Sequence, residues 1–485
     1  MRKLWINAEF VDGGRDPGRA INPATEETIG EYARGGLVQT DQAIRAAKDA
    51  FPSWRRVPAG ERAALLHEVA RRLRESQEQL AMELSLETGR SIRKNRGYVE
   101  WSAECFDYYA ELARHYRGRV IPSPEASQLS LVLKVPLGVV GAIIPWNYPL
   151  LLLVWKLAPA LAAGNTVVVK PATYTTWVSL GYHRLFEHFP PGVVNFISGS
   201  GGEVGEYLVK HPDVRMIAFT GSTEVGQHIM RLAADDMKHI HLELGGKDPL
   251  IVCADCDLEG AVGAAVWAGF LNAGQVCTSV ERVYVDREVY DPFLDGVVAL
   301  TNKLVVGPGT DPESEVTPMI RPNEREKVAQ QVQEAQSKGA LIHTGGRIPV
   351  DKTKGFYYEP TVLSQVTEEM LVMQEETFGP VLPVVPVMDF EEALLRSNHS
   401  QYGLGATLFT SDPKKVKRYM EEIEAGNVWV NDPLVDNLAG PFGGMKRSGI
   451  GRELGQEGFE EFFETKHVHW EINGGMKPWW FPWDK

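Results

Sequence analysis

Between Gly138 and Leu242 the chain repeats one pattern four times, a short apolar run followed by a helical or turn segment. The runs are GVVGAII, TVVVK, VVNFI and MIAFT. Short β-rich runs alternating with helices argue for a doubly wound parallel sheet. Ligands of such a sheet bind beyond the carboxyl ends of its strands. Polar residues and glycines gather at those ends: Asn147 after the first run, Lys170 after the second, Gly199 to Gly202 after the third, Gly221 and Ser222 after the fourth. This half of the chain is expected to bind a nucleotide.

The alternation resumes beyond Pro249 with LIVC, a helix through Ala265 to Phe270, the run ERVYVD and another helix from Tyr290, and it continues to about Val430. A chain of 485 residues exceeds what one core can serve. The expectation is an α/β protein with two doubly wound domains, the first Rossmann-like. Residues 1–118 and 138–242 form one, 243–430 the other, and 431–455, rich in Pro and Gly, are a loop and return segment. Ahead of the first repeat, Thr40 reads as the N-cap of a helix that Pro52 ends. Leu65, Leu66, Val69, Leu73, Leu80 and Leu84 read as one face of a single long helix stopped by Gly89, and a third helix carries Trp101, Cys105, Tyr108 and Leu112. In QLSLVLKVP, strand alternation puts Leu129, Leu131 and Leu133 on one face. That run and KHVHW at 466–470 lie outside both α/β units and would leave open sheet edges.

Charge narrows the partners. The balance is 50 − 64 = −14, with only short basic clusters, which argues against nucleic acid or an anionic membrane. The uncharged run Val135 to Trp155 is long enough for a membrane span, but Pro136, Pro145, Pro149 and Asn147 divide it into strand, turn and helix start. The N-terminal MRKLWINAEFVDGG has no apolar signal core and reads as a first strand and turn, so a cytoplasmic location is expected. Four cysteines do not make a disulfide framework, and Cys253-x-x-Cys256 has no second pair to complete a zinc site. No metal is expected. The tail MKPWWFPWDK carries Trp479, Trp480, Phe481 and Trp483, whose apolar area should dock on the chain's own domain or on a neighbouring subunit.

The chemistry centres on His239 to Arg282. Glu243 opens a glycine-broken turn (Gly245, Gly246), and Cys277 follows 277 − 243 = 34 residues later. A carboxylate and a thiol on opposite sides of one α/β unit are the parts of covalent thiol catalysis with a water-activating base. Around them lie PWNYP (145–149), KPA (170–172), FTGSTEVG (219–226), ELGGK (243–247), NAGQVC (272–277), ETFGPV (376–381) and PFGGMKRSGIGRELG (441–455). In this order the motifs resemble the NAD(P)-dependent aldehyde dehydrogenases, in the hydrolytic, non-acylating branch, nearly end to end.

That resemblance implies an oxidoreductase that turns an aldehyde into a carboxylic acid through a cysteine thiohemiacetal and thioester. Cys277 would be the nucleophile, Glu243 the base for the hydrolytic water, and Asn147 with the Cys277 N–H the oxyanion site. Cofactor contacts would come from Trp146, Lys170, Thr173, Gly221, Ser222, Gly245, Glu376 and Phe378. Members preferring NAD usually carry Glu where this chain has Thr173, so NADP is expected to be accepted beside NAD. A substrate tunnel would be lined by Trp101, Tyr148, Trp155, Val276 and Thr278, with no evident Arg for a carboxylated aldehyde. Tyr148 and Trp155 recur in members acting on betaine aldehyde, yet the further tryptophan of such sites is missing before Pro441. Residues 119–137 and 456–485 would form an oligomerisation arm and tail, giving a homodimer or homotetramer. Two alternatives stand beside this: a coenzyme A-acylating semialdehyde dehydrogenase, which would ordinarily lack Glu243, and a non-catalytic relative, which should have lost Cys277, Glu243 or Asn147.

Overall fold

The computed structural model describes residues 1–481. The first sheet has eight strands in the order Gly449–Ile450, His239–Glu243, Val214–Thr220, Val139–Ile144, Thr166–Pro171, Val194–Phe196, Leu4–Ile6, Glu9–Val11. The five from His239–Glu243 to Val194–Phe196 are parallel, and the strands flanking them pair antiparallel. All six residues of both Val139–Ile144 and Thr166–Pro171 are buried, as their continuous apolar runs require. The chain winds outward from Val139–Ile144 to Val194–Phe196, then returns to the other side of Val139–Ile144 to lay down Val214–Thr220. The order therefore reverses between those two strands, and a crevice opens at their carboxyl ends.

A second sheet of seven strands runs Leu341–Thr344, Thr361–Ser364, Val381–Val387, Val280–Asp286, Asp248–Val252, Gly405–Phe409, Asn427–Val430, parallel apart from its first pair. Each sheet has its own hydrophobic cluster. Between them the chain crosses in four residues, Leu244 to Lys247, which link His239–Glu243 to Asp248–Val252. A third sheet stands apart: Gln128–Pro136 pairs antiparallel over its whole length with Phe463–Glu471, and with Arg119–Ile121 on its other edge. Leu133 is 39% exposed and Val120 71% exposed on this arm.

Several local expectations are corrected. The first helix is Leu37–Trp54, capped at Gly36, whose N–H donates to the Gln39 side chain at 3.0 Å. Thr40 lies one turn inside and turns its hydroxyl back to the Gly36 carbonyl at 2.8 Å, and Pro52 sits within the last turn. The expected single helix of the leucine face is two, Ala59–Glu75 and Gln77–Thr88. Ser76 leaves helical geometry between them (φ −98°, ψ 9°), and Gly89 ends the second at φ 78°. The run Val135 to Trp155 is strand, turn and helix start, and among the described residues no helix is long and apolar enough to cross a membrane. In the tail, Trp479, Trp480 and Phe481 are each more than half exposed. Trp483 lies outside the described residues.

Candidate active site

Glu243 and Cys277 do not flank one α/β unit, as their spacing suggested. Glu243 ends a strand of the first sheet and Cys277 precedes a strand of the second, so the pair meets across the seam. Two backbone approaches make that seam tight. A Cβ on Gly246 would lie 2.4 Å from the Cys277 carbonyl oxygen, and one on Gly245 would lie 2.7 Å from Glu376 Oε2. A side chain at Gly246 would meet backbone, and one at Gly245 would have to displace the Glu376 carboxylate.

The loop ahead of Cys277 is strained. Asn272, Ala273 and Gly274 are consecutively left-handed (φ 53°, 55°, 71°), a conformation costing about 1–2 kcal/mol for each residue bearing a Cβ. A Cβ on Gly274 would also meet the Gly379 carbonyl oxygen at 2.1 Å. The turn is held by its own side chains. Asn272 Nδ2 donates to the Gln275 carbonyl at 3.1 Å, Gln275 Nε2 returns a bond to the Asn272 carbonyl at 2.9 Å, and the Ile320 N–H donates to Gln275 Oε1 at 2.9 Å. Strain so thoroughly braced is characteristic of a functional loop.

Pro145, Trp146 and Asn147 leave the strand Val139–Ile144, and Thr220, Gly221 and Ser222 leave Val214–Thr220, so both groups stand at the crevice where the strand order reverses. With Glu243, Gly245, Cys277, Glu376 and Phe378 they enclose a cavity of about 200 Å3. Asn147 Nδ2 donates one hydrogen to the Gln275 carbonyl at 3.3 Å and keeps its second. The Cys277 N–H has no acceptor among the described residues. Both oxygens of Glu243 are buried without a partner at bonding distance, although the Cys277 thiol is close enough to influence them.

Electrostatics follow from that burial. Desolvation pushes Glu243 up to about 8, with Glu453 adding to the rise and Lys156 opposing it. Desolvation also holds the Cys277 thiol well above its ordinary range, and Glu243 raises it further. Behind Glu243 lies a buried ion pair: Lys156 Nζ contacts Glu453 Oε1 and Thr220 Oγ1, each at 2.6 Å. Across the cavity, burial raises Glu376 to about 8. Its Oε1 accepts the Gly246 N–H at 3.2 Å, and its loop is fixed by Glu281, which accepts the Thr377 and Phe378 N–H groups (2.8 and 2.9 Å) and the Lys247 ammonium (2.6 Å). Phe378 itself is left-handed (φ 50°), with its ring edge-on to Trp146 at 5.3 Å between centroids.

Other expected residues do not border this cavity. Lys170 is buried at its strand end, raised by nothing and lowered by burial to about 8, and its stem lies beside Gly205. Thr173 is exposed three residues on. Trp101 and Trp155 pack with their rings tilted by 50° at 5.5 Å and Trp155 meets Phe442 at 5.0 Å, forming an aromatic wall; Val276 and Thr278 are buried on either side of Cys277. Tyr148 is buried edge-on to Tyr98 at 5.2 Å. Buried beside it, the Arg90 guanidinium lies 3.7 Å from the Tyr148 ring centroid.

Residues 10–468 match the model of the aldehyde dehydrogenase family. The chain belongs to that family. It is 40% identical over 473 residues to a betaine aldehyde dehydrogenase of Bacillus subtilis, covering 96% of each chain. It is 38% identical over 472 residues to a glutarate-semialdehyde dehydrogenase of Pseudomonas putida, covering 96% of this chain and 97% of the relative. Among solved structures, a betaine aldehyde dehydrogenase of Staphylococcus aureus in complex with NAD+ superimposes with a TM-score of 0.96 at 36% identity, covering 99% of this chain and 96% of that one. An NAD(P)-dependent aldehyde dehydrogenase with the two-sheet α/β architecture is thus established for this chain.

Two cavity residues escaped the sequence reading, Glu324 and Lys327 on the helix Pro322–Ser337. The Lys327 ammonium donates to the Glu376 carbonyl at 2.9 Å. Both sit in a charged, amphipathic helix whose pattern matches any solvated face, and no motif singles them out. Lys156 did leave a signal. It is the lone charge in LLLVWKLAPALAA, a helix in which every residue is buried.

Proposed function

We propose that Cys277 adds to the aldehyde carbon, that Asn147 Nδ2 and the Cys277 N–H receive the oxyanion, and that Glu243 later draws a proton from the water that releases the acid. The observation that carries this is the convergence of these three residues, from two sheets, on one cavity whose far side holds Trp146, Phe378, Glu376 and Ser222. That far side fits a nicotinamide cofactor. Two rings offer flat and edge contacts, Glu376 keeps an oxygen for a ribose hydroxyl, and the helix Thr223–Ala233, capped by Ser222 Oγ on the Val225 N–H, directs its positive end toward a diphosphate. Gly221 and Gly245 allow close approach, and Lys170 and Thr173 would hold the adenosine ribose. Bound NAD(P) supplies the hydride acceptor and a positively charged ring.

The remaining steps belong to the chain. The thiol must lose its proton to react. The thiohemiacetal on Cys277 loses hydride and becomes a thioester, and water adds to it as Glu243 takes the proton. The thiolate then leaves, so that aldehyde, water and NAD(P)+ yield acid, NAD(P)H and a proton. Residues 1–118 and 138–242 serve as the cofactor domain and 243–430 as the catalytic domain. The exposed arm and aromatic tail serve subunit pairing, with 431–455 returning the chain to the first sheet. For the substrate we favour a neutral or anionic aldehyde over a trimethylammonium one. A guanidinium already occupies one face of Tyr148, which weakens its attraction for a second cation.

The test is Cys277→Ala together with wild-type turnover in the absence of coenzyme A. The expected result is acid and reduced cofactor from the wild type without coenzyme A, and loss of both in a variant that still folds and binds cofactor. Turnover by Cys277→Ala within tenfold of wild type would remove the nucleophile assignment.

A further inference from the structure

The strand that follows Cys277, Val280–Asp286, is the central strand of the second sheet and carries a buried acid. Glu281 is only 2% exposed, and its neighbours from Val280 to Val285 are all buried. On one side this strand pairs parallel with Asp248–Val252, which the seam turn at 244–247 enters. On the other side it pairs parallel with Val381–Val387, which the loop of Glu376 and Phe378 enters. Glu281 therefore stands at the strand starts, between the two segments that border the Cys277 cavity opposite Asn147.

Its carboxylate bonds to both segments. Oε2 accepts from the Lys247 ammonium at 2.6 Å and from the Thr377 N–H at 2.8 Å, and Oε1 accepts from the Phe378 N–H at 2.9 Å. Lys247 Nζ also donates to the Thr377 hydroxyl at 3.0 Å, and the adjacent Gly246 N–H donates to Glu376 Oε1 at 3.2 Å. Phe378 is left-handed (φ 50°), a conformation disfavoured for a residue with a Cβ, and the bond to Glu281 helps to hold it there. Lys247 is 1% exposed, so both charges of the pair are desolvated. Such a pair is weak evidence for a contribution to stability, because apolar residues of similar volume often serve a fold as well. What an apolar pair cannot do is receive the Thr377 and Phe378 N–H groups.

We propose that Glu281, neutralised by Lys247, is a positioning residue for hydride transfer, acting through Phe378 and Glu376 to hold the nicotinamide ring and its ribose against Cys277. The inference rests on the reading of Trp146, Phe378 and Glu376 as the nicotinamide side of the cofactor pocket. Hydride leaves the thiohemiacetal carbon for the ring only across a short, aligned gap, and a misplacement of about 1 Å costs on the order of 100-fold in rate. Loosening Glu281 should let the Thr377–Phe378 backbone relax and the ring drift. The adenosine half, assigned to Lys170 and Thr173 of the other domain, should not register the change.

Two variants are compared with wild type: Glu281→Gln, and Lys247→Met/Glu281→Leu, which leaves no unpaired buried charge should the single change fail to fold. Calorimetry with NAD and with 5′-AMP reads the whole cofactor against its adenosine half. Rapid mixing at saturating NAD uses the aldehyde that wild type turns over fastest, with hydrogen or deuterium at C1, and reads the hydride step. In both variants, formation of reduced cofactor per folded active site should slow about 10- to 100-fold, with the deuterium effect carried into steady-state turnover. NAD should bind about tenfold more weakly and 5′-AMP within about twofold of wild type. Wild-type rates and NAD affinity in the double variant would make the pair merely structural and overturn the proposal, as would equal weakening of NAD and 5′-AMP. Phe378→Ala separates this inference from the pocket reading beneath it. Slowed hydride transfer there but not in the Glu281 variants overturns the positioning role alone, and no change in any of the three overturns both.

Discussion

The seam that holds Cys277 and the aromatic wall beside it are built by different means. At the seam, Gly246 meets the Cys277 carbonyl and Gly274 the Gly379 carbonyl, backbone against backbone, while Gly245 lies against the Glu376 carboxylate. At the wall, Trp101, Trp155, Phe442, Tyr98 and Tyr148 are fixed by ring packing, with centroids 5.0–5.5 Å apart. Backbone contacts admit one residue type, whereas ring contacts admit any side chain of suitable volume. On the function proposed above, the chemistry would tolerate little change at the seam, and the wall could vary with the substrate.

The sharpest way to break this contrast is to add one carbon on each side. Gly274→Ala places a Cβ 2.1 Å from a carbonyl oxygen at φ 71°, and should cost on the order of several kcal/mol in stability and nearly all activity. Trp155→Phe should shift the aldehyde KM less than about tenfold and leave kcat largely intact. Thermal unfolding and steady-state kinetics on both would decide it, and equal damage from the two would erase the distinction. Next in size, Asn147→Ala should lower kcat by about 100-fold or more with cofactor binding unchanged, because one donor to the oxyanion is lost.

The seam was readable in the sequence for the same reason that it is intolerant. ELGGK, NAGQVC and ETFGPV are short contiguous runs, and each glycine marks a close approach. The parallel strands were readable because burial on both faces leaves uninterrupted apolar runs. The misreadings came from long-range packing. The motif spacing could not tell that Glu243 and Cys277 come from different sheets. Arg90 reaches Tyr148 and Lys327 reaches Glu376 from elements far away in the chain, and Ser76 breaks a helix that the leucine periodicity carries straight through.

A smaller effect comes from the buried carboxyl. Glu243 is raised to about 8, so the folded protein keeps a proton that the unfolded chain releases above its ordinary carboxyl value near 4.5. Its contribution to stability is complete below that lower value and is lost as pH rises toward about 8. Glu243→Gln should therefore gain thermal stability relative to wild type as pH goes from about 5 to about 8, and a constant difference across that range would contradict the neutral resting state. The smallest predicted change is at the adenosine end, where Thr173 is exposed and encloses nothing. Thr173→Glu should favour NAD over NADP by about tenfold in kcat/KM, by repelling a 2′-phosphate. A wild-type preference for NAD above about 100-fold would remove the basis for that prediction.

The separation of roles between the two seam residues is tested most directly by rapid mixing of Glu243→Gln with aldehyde and saturating cofactor. If Cys277 acts first and Glu243 serves chiefly the release of acid, reduced cofactor should appear in a burst approaching one equivalent per active site, followed by a steady state slowed about 100-fold or more. A slow, burst-free progress curve would place Glu243 at or before hydride loss, and an unaltered steady state would remove it from the reaction.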